Sequence, residues 1–217
     1  MINRPPIPEP IIAGRVVAIG RWFNPADVEA IAAALVAGGI RALEITSNSH
    51  GAMKLIEAVR KSYSPDRLLI GAGTILDIAT GEEAISAGAS FIVSPHTDPE
   101  LVGWAANRGI PAFPGAGTMT EALTGWRAGA AGIKIFPASV LGAAFVRELK
   151  GPFPDITVIP TGGISAENAA AMLAAGKVVA LGVGSWLTGG ADPEVVRARA
   201  LELVTALESV PHRQPVG

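Results

Sequence analysis

The sequence predicts an α/β fold closed as an eight-stranded (β/α)8 TIM barrel. Three observations predict it. Short β-rich runs alternate strictly with alanine-rich helical runs, giving eight strand and eight helix candidates. The repeating unit is about 20–25 residues with short connections, which implies parallel strands joined by crossover helices. No linker or change of composition divides the 217 residues, so one barrel domain over residues 1–217 is expected. An open doubly wound sheet is the competing fold. It carries a glycine-rich fingerprint after its first strand, whereas Arg21-Trp22-Phe23 stands there.

The first strand is read at 15–19. Asn24 before Pro25 opens a helix over 25–37, which Gly38 closes. A second strand at 42–46 alternates Leu43-Glu44-Ile45 and leads to a helix at 51–61. The third unit pairs 68–71 with a helix at 78–87 that stops at Gly88. The fourth pairs 91–94 with 99–107, where Asp98 caps and Pro99 takes the first helical position. A fifth strand at 112–114 precedes the helix 120–128, which Gly129 ends. The sixth is 132–136, followed by a helix at 144–149. The seventh is 157–160, with Ser165 capping 166–175 and Gly176 closing it. The eighth is 178–181, with Asp192 capping 193–208.

Composition narrows the function. Hydrophobic residues make up 49% and charged residues 17%, enough for a sizeable core. The net charge is −2 with no basic run, which argues against nucleic-acid binding, since that needs clustered Lys and Arg. There are no cysteines, so disulfides, thiolate metal sites and a cysteine nucleophile are excluded. Met1 to Pro10 is proline-rich without an apolar signal core, and no apolar run is long enough to span a membrane. A cytoplasmic protein is expected.

In a barrel the C-terminal strand ends form the site. Here they carry Arg21, Glu44, Thr46, Asn48, Thr74, Ser94, Pro95, Pro114, Gly115, Lys134, Phe136, Thr161, Gly162, Gly163, Gly182, Gly184 and Ser185. Lys134 stands out, because it lies within the apolar run Gly132-Ile133-Lys134-Ile135-Phe136-Pro137, while the other four lysines occupy polar contexts. A lysine so placed loses hydration, desolvation disfavours an ammonium, and a free amine can form a Schiff base with a carbonyl compound. Period-two alternation turns both Glu44 and Lys134 toward the barrel interior. A purely structural Glu–Lys pair is the competing explanation, but buried ion pairs add little stability. A pair at the strand ends favours work: Glu44 moving protons on atoms bound to Lys134.

Thr161-Gly162-Gly163 and Gly182-Val183-Gly184-Ser185 follow the seventh and eighth strands, where barrels often place a phosphate site. Metal binding has little support. His50, His96 and His212 read as loop or tail residues, and no strand-end Asp or second His completes a set. Trp22, Trp104, Trp126 and Trp186 are scattered and read as packing, and Ser185 has no His/Asp partner in the pattern.

Leu43-Glu44-Ile45-Thr46, Gly71-Ala72-Gly73-Thr74, Ile133-Lys134-Ile135-Phe136-Pro137, Pro160-Thr161-Gly162-Gly163-Ile164 and Gly184-Ser185-Trp186-Leu187 together resemble a known family. It is that of the class I aldolases for 2-keto-3-deoxy-phosphogluconate, 4-hydroxy-2-oxoglutarate and 2-keto-3-deoxy-6-phosphogalactonate. The resemblance runs in order and spacing from about Ile11 to Leu187. It implies a (β/α)8 barrel, a homotrimer, a keto-acid phosphate substrate, and neither metal nor cofactor. It further implies that Lys134 is the Schiff-base lysine and Glu44 the proton-transfer residue. Thr74 and Arg21 match substrate contacts, Pro95 and Phe136 site walls, and Thr161 a substrate contact. Gly162, Gly163, Gly184 and Ser185 match the phosphate loops. Gluconate-type members carry an arginine four residues after the Glu; Asn48 stands there, and Asn48-Ser49 resembles the galactonate type. The expected reaction is retro-aldol cleavage to pyruvate and glyceraldehyde 3-phosphate. A 4-hydroxy-2-oxoglutarate aldolase, a sugar-phosphate epimerase on the same fold and a non-catalytic sugar-phosphate sensor are the alternatives.

Overall fold

A computed structural model of the chain describes residues 4–190 and 192–211; His212 lies outside the described residues. Helix α1 (Glu9–Gly14) precedes β1 (Val16–Gly20), α2 (Val28–Ala37), β2 (Ala42–Thr46) and α3 (Ala52–Ser62). Then come β3 (Leu69–Gly73), α4 (Ile78–Ser86), β4 (Ile92–Val93), α5 (Pro99–Asn107), β5 (Ala112–Phe113) and β6 (Gly115–Ala116). The second half holds α6 (Met119–Ala128), β7 (Ile133–Ile135), α7 (Ala138–Leu149), β8 (Val158–Pro160) and α8 (Ala166–Leu173). It ends with β9 (Leu181–Val183), α9 (Ser185–Thr188) and α10 (Pro193–Glu208).

All the ladders are parallel. They form a six-stranded sheet, β5-β4-β3-β2-β1-β9, and a three-stranded sheet, β6-β7-β8. The fold is therefore α/β with a curled parallel sheet, and its regular ladder does not run unbroken through eight strands as the repeat predicted. Pro114 is one reason. It has no N–H to give the ladder, and the strand expected at 112–114 is split around it into β5 and β6. The eighth strand is the other. It starts at Leu181, and the expected 178–181 segment meets β8 at an isolated bridge, Val158 to Val178, instead of a regular ladder.

Three further expectations shift. The proline-rich start contains α1, with Pro10 in its first turn, where a missing N–H costs nothing. The helix expected from Pro25 begins at Val28, because Asn24 Oδ1 accepts from the Ala26 N–H (3.2 Å) and holds a turn first. The helix expected at 144–149 starts at Ala138 and is interrupted at Gly142. By contrast, Asp98 and Asp192 cap α5 and α10 with their carboxylates, as read.

Burial sorts into two layers. One cluster packs the outward strand residues, such as Leu43, Ile45, Ile133 and Ile135, against the helices. A second cluster gathers Ile11, Val17, Leu69, Phe91, Phe113 and Ile159 inside the curl of the sheet. Phe91 and Phe113 meet edge to face, 5.9 Å between centroids. Alternation along each strand produces this division, and it decides which side Glu44 and Lys134 occupy.

Candidate active site

Glu44 lies on β2 between Leu43 and Ile45, and Lys134 on β7 between Ile133 and Ile135. The four aliphatic neighbours belong to the outer cluster, so both charged side chains fall on the inner face. They are 3% and 6% exposed. With Val17, Phe91, Phe113, Ile159, Thr161 and Gly182 they line a cavity of about 10 Å³, room for about one water. No ion pair within 4.0 Å joins them among the described residues. Their charges act across this small space instead. Burial pushes the Glu44 carboxyl above its ordinary value, against the opposing pull of Lys134 and Arg21.

Lys134 and Thr161 also open on the other side, onto a cleft of about 900 Å³. Lys134 Nζ stands 5.1 Å from the centroid of the Phe136 ring. Thr161 is buried and its hydroxyl donates to the Ile159 carbonyl at 3.2 Å. The same cleft is lined by Arg21, Phe136, Gly162, Gly163, Gly184 and Ser185. Gly162 and Gly163 have φ of +96° and +70°, a double left-handed turn that glycine adopts without a Cβ clash. Ser165, at the N-terminus of α8, lines the cleft beside them, and Asn168 Oδ1 accepts from its N–H at 3.0 Å. A glycine loop running into a helix start is a ready anion site.

The remaining expected residues lie apart. Asn48 and Thr74 line a neighbouring depression with Ser47, Met53 and Leu76. Thr74 has φ +57°, and its carbonyl accepts from Ser47 Oγ at 2.7 Å. Pro95 is half-buried, its carbonyl packed against Gly115 so closely that a Cβ there would overlap it. His50 and His96 are exposed. No group of three His, Cys, Asp or Glu side chains that could hold a metal occurs among the described residues.

Trp22 departs from the packing role expected of it, whereas Trp186 packs on the outer cluster. Trp22 is 66% exposed, and it lines the cleft together with half-buried Trp186. The structure adds Asn24, Asp27 and Ser165 to the lining as well. Ser165 was legible as a cap directly after a glycine loop. Trp22 was not, since only the fold shows that its ring stays largely exposed. Trp104 is buried, and Trp126 lies under the Arg4 guanidinium.

A buried amine and a buried carboxylate sharing the inner end of a cleft, with glycine loops at its rim, can carry out imine chemistry on an anionic carbonyl compound. Comparison with known proteins places the chain. The family model for KDPG and KHG aldolase matches residues 7–207. The chain belongs to the KDPG and KHG aldolase family. It is thus an aldolase, a lyase of that family. A probable 2-dehydro-3-deoxy-6-phosphogalactonate aldolase from Rhizobium meliloti is 37% identical over 206 residues, 94% of this chain and 96% of that protein. A 2-dehydro-3-deoxy-phosphogluconate aldolase from Pseudomonas aeruginosa is 42% identical over 176 residues, 80% of this chain and 78% of that one. Among solved structures, a KDPG aldolase from Legionella pneumophila, with pyruvate captured as a covalent carbinolamine intermediate, superposes with a TM-score of 0.77. It is 30% identical, covering 93% of this chain and 96% of that one. Among the described residues of this family member, no helix is long and apolar enough to cross a membrane.

Proposed function

We propose that this aldolase cleaves a 2-keto-3-deoxy-6-phospho sugar acid to pyruvate and glyceraldehyde 3-phosphate through an imine on Lys134. The observation that carries this reading is the enclosure of Lys134 and Glu44 around one water-sized cavity at the inner end of the cleft. Lys134 Nζ attacks the C2 ketone, and loss of water leaves an iminium. The C3–C4 bonding pair moves into that iminium to give an enamine, while the C4 hydroxyl becomes the aldehyde. Its proton passes to Glu44, through a water in the cavity. Glu44 returns a proton to C3, and hydrolysis of the imine releases pyruvate and the free lysine. The Legionella relative with its captured carbinolamine supports the covalent step.

Arg21 and Thr161 hold the acid end, and Thr74 supports it from the neighbouring depression. Pro95 and Phe136 act as walls. Gly162, Gly163, Gly184 and Ser185 hold the phosphate with backbone N–H groups, and α8 adds its N-terminal dipole. Holding both ends fixes the reacting bond, which contributes to rate. The two named relatives differ at the C4 centre of their substrates. Asn48, which supplies hydrogen bonds but no charge, favours the galactonate epimer.

The reading includes a single domain whose two sheets act as one eight-stranded barrel. The chain from Ala112 to Ala116 belongs to both sheets, and bridges from Val158 to Val178 and from Thr161 to Gly182 join β8 to the β9 segment. It also includes a homotrimer, which light scattering would test.

Pyruvate with borohydride should leave a reduced adduct mapping to Lys134 by peptide mass spectrometry. An unmodified Lys134 would remove the Schiff-base step. Pyruvate release, followed with lactate dehydrogenase, should be faster from the galactonate epimer than from the gluconate epimer or from 4-hydroxy-2-oxoglutarate.

A further inference from the structure

Trp22 lies two residues beyond the end of β1 with φ +59°, a left-handed conformation that bulky residues rarely adopt. Its side chain gains little packing in exchange, being 66% exposed. Two hydroxyls hold the backbone there. The Trp22 N–H donates to Ser49 Oγ at 2.9 Å, and Ser49 Oγ lies 3.1 Å from Thr46 Oγ1. Ser49 and Thr46 are both buried, at 5% and 0% exposure. The cleft that Trp22 lines is the one that reaches Lys134, with Gly184 and Ser185 also on its wall. A strained corner kept in place by buried partners, presenting an aromatic ring at the mouth of a reactive cleft, marks a functional position.

We propose that Trp22 is a substrate-contacting residue of this aldolase. Its indole covers the carbon chain of the bound keto-acid phosphate between the imine carbon and the phosphate loops. It packs on the C–H face of that chain, and it keeps bulk water from the bond that breaks. The indole N–H adds one donor for a substrate hydroxyl. Ser49 acts through Trp22 and is a positioning residue. This inference rests on the Lys134-centred reading above and adds an apolar determinant of substrate binding to its polar ones.

Trp22→Gly tests it. Glycine takes φ +59° without strain, and an exposed side chain leaves no cavity, so the melting temperature should equal or exceed that of the wild type. The KM for the six-carbon substrate should rise about tenfold, the effect of losing one aromatic contact. Trp22→Phe should recover most of that loss. An unchanged KM in Trp22→Gly overturns the proposal. So does a changed oligomeric mass by light scattering, which would make Trp22 a subunit contact. Ser49→Ala should raise KM in the wild-type background and add nothing in the Trp22→Gly background, a non-additivity that general destabilisation does not produce. Additive effects would remove Ser49 from the scheme. The Lys134 reading fails separately, in the wild-type protein, if borohydride traps no pyruvate on Lys134.

Discussion

Glu44 Oε1 is buried and has no hydrogen-bond partner. Leaving such an atom unpaired costs about 1–3 kcal/mol, and the cost falls on the site proposed for catalysis. Glu44 and Lys134 line one small cavity, where the proposed water and the C4 hydroxyl proton would come. Its carboxyl is raised by burial, so over the range above its ordinary 4.5 the folded chain binds more protons than the unfolded one. Stability then falls as pH rises through that range, since it increases with pH only where the unfolded state holds more protons. Glu44→Gln removes this titration. The melting temperature of the variant relative to the wild type should therefore climb as pH rises above about 4.5. A constant difference across that range would show that Glu44 is not held protonated. In activity, the same variant should still trap pyruvate on Lys134 but turn over at least about 100-fold more slowly, as loss of a general acid–base group predicts. The acidic limb of the wild-type rate profile should lie above the ordinary carboxylate range. Unchanged turnover in Glu44→Gln would assign the base elsewhere.

At the scale of the element, β3 shapes the site by what it omits. A Cβ on Gly73 would overlap the Glu44 carboxylate, and Gly73 pairs with Thr46 in the β2–β3 register. Gly73→Ala must push Glu44 off its rotamer or spread the strands. Overpacking of this kind costs about 1–3 kcal/mol, and it displaces the group proposed to move the proton. A lower melting temperature with a large loss of kcat is expected; a variant with normal kcat would show that the position of Glu44 is not critical. The inward direction of Glu44 and Lys134 was legible because single charged residues interrupt aliphatic pairs at period two. Strand ends were less so. Pro114 breaks a ladder that its apolar neighbours would otherwise continue, and Val178 and Val179 look like strand residues but precede the ladder. Strand-end position and the family resemblance both put Asn48 and Thr74 in one site with Lys134. The fold sets them in an adjoining depression, because side chains beyond the last ladder pair follow the loop and not the pleat. Trp22 escaped sequence reading for a related cause. Its exposure depends on a left-handed corner that only the Ser49 contact explains.

At the scale of the molecule, the inner cluster has a covered end and an end where the chemistry is proposed, the working end. Ile7 and Ile11, before and within α1, join Ala42, Leu69, Ala131 and Val179 near the starts of their strand segments. Arg4 reinforces this cover by donating to the carbonyls of Trp126 and Ala130, and Arg15 donates to the Val210 carbonyl at 2.6 Å. The working end holds Lys134, Thr161 and the glycine loops at the ends of the strands. Stability and chemistry are thus separated along the strands, as expected of barrel-like folds. Ile11 is fully buried, so Ile11→Ala loses its transfer free energy and leaves a cavity, together about 2–5 kcal/mol. At about 2–4 °C per kcal/mol for a chain of this size, the melting temperature should fall by roughly 5–20 °C. Below that transition the variant should keep kcat and KM within about twofold of the wild type, because no residue of α1 lines the Lys134 cleft. Calorimetry and the coupled pyruvate assay on the same preparation decide it. A loss of kcat in protein that is still folded would mean that the two ends of the interior are coupled, with α1 supporting the positions of Glu44 and Lys134 through Val17 and Ile159, which the inner cluster and the cavity share.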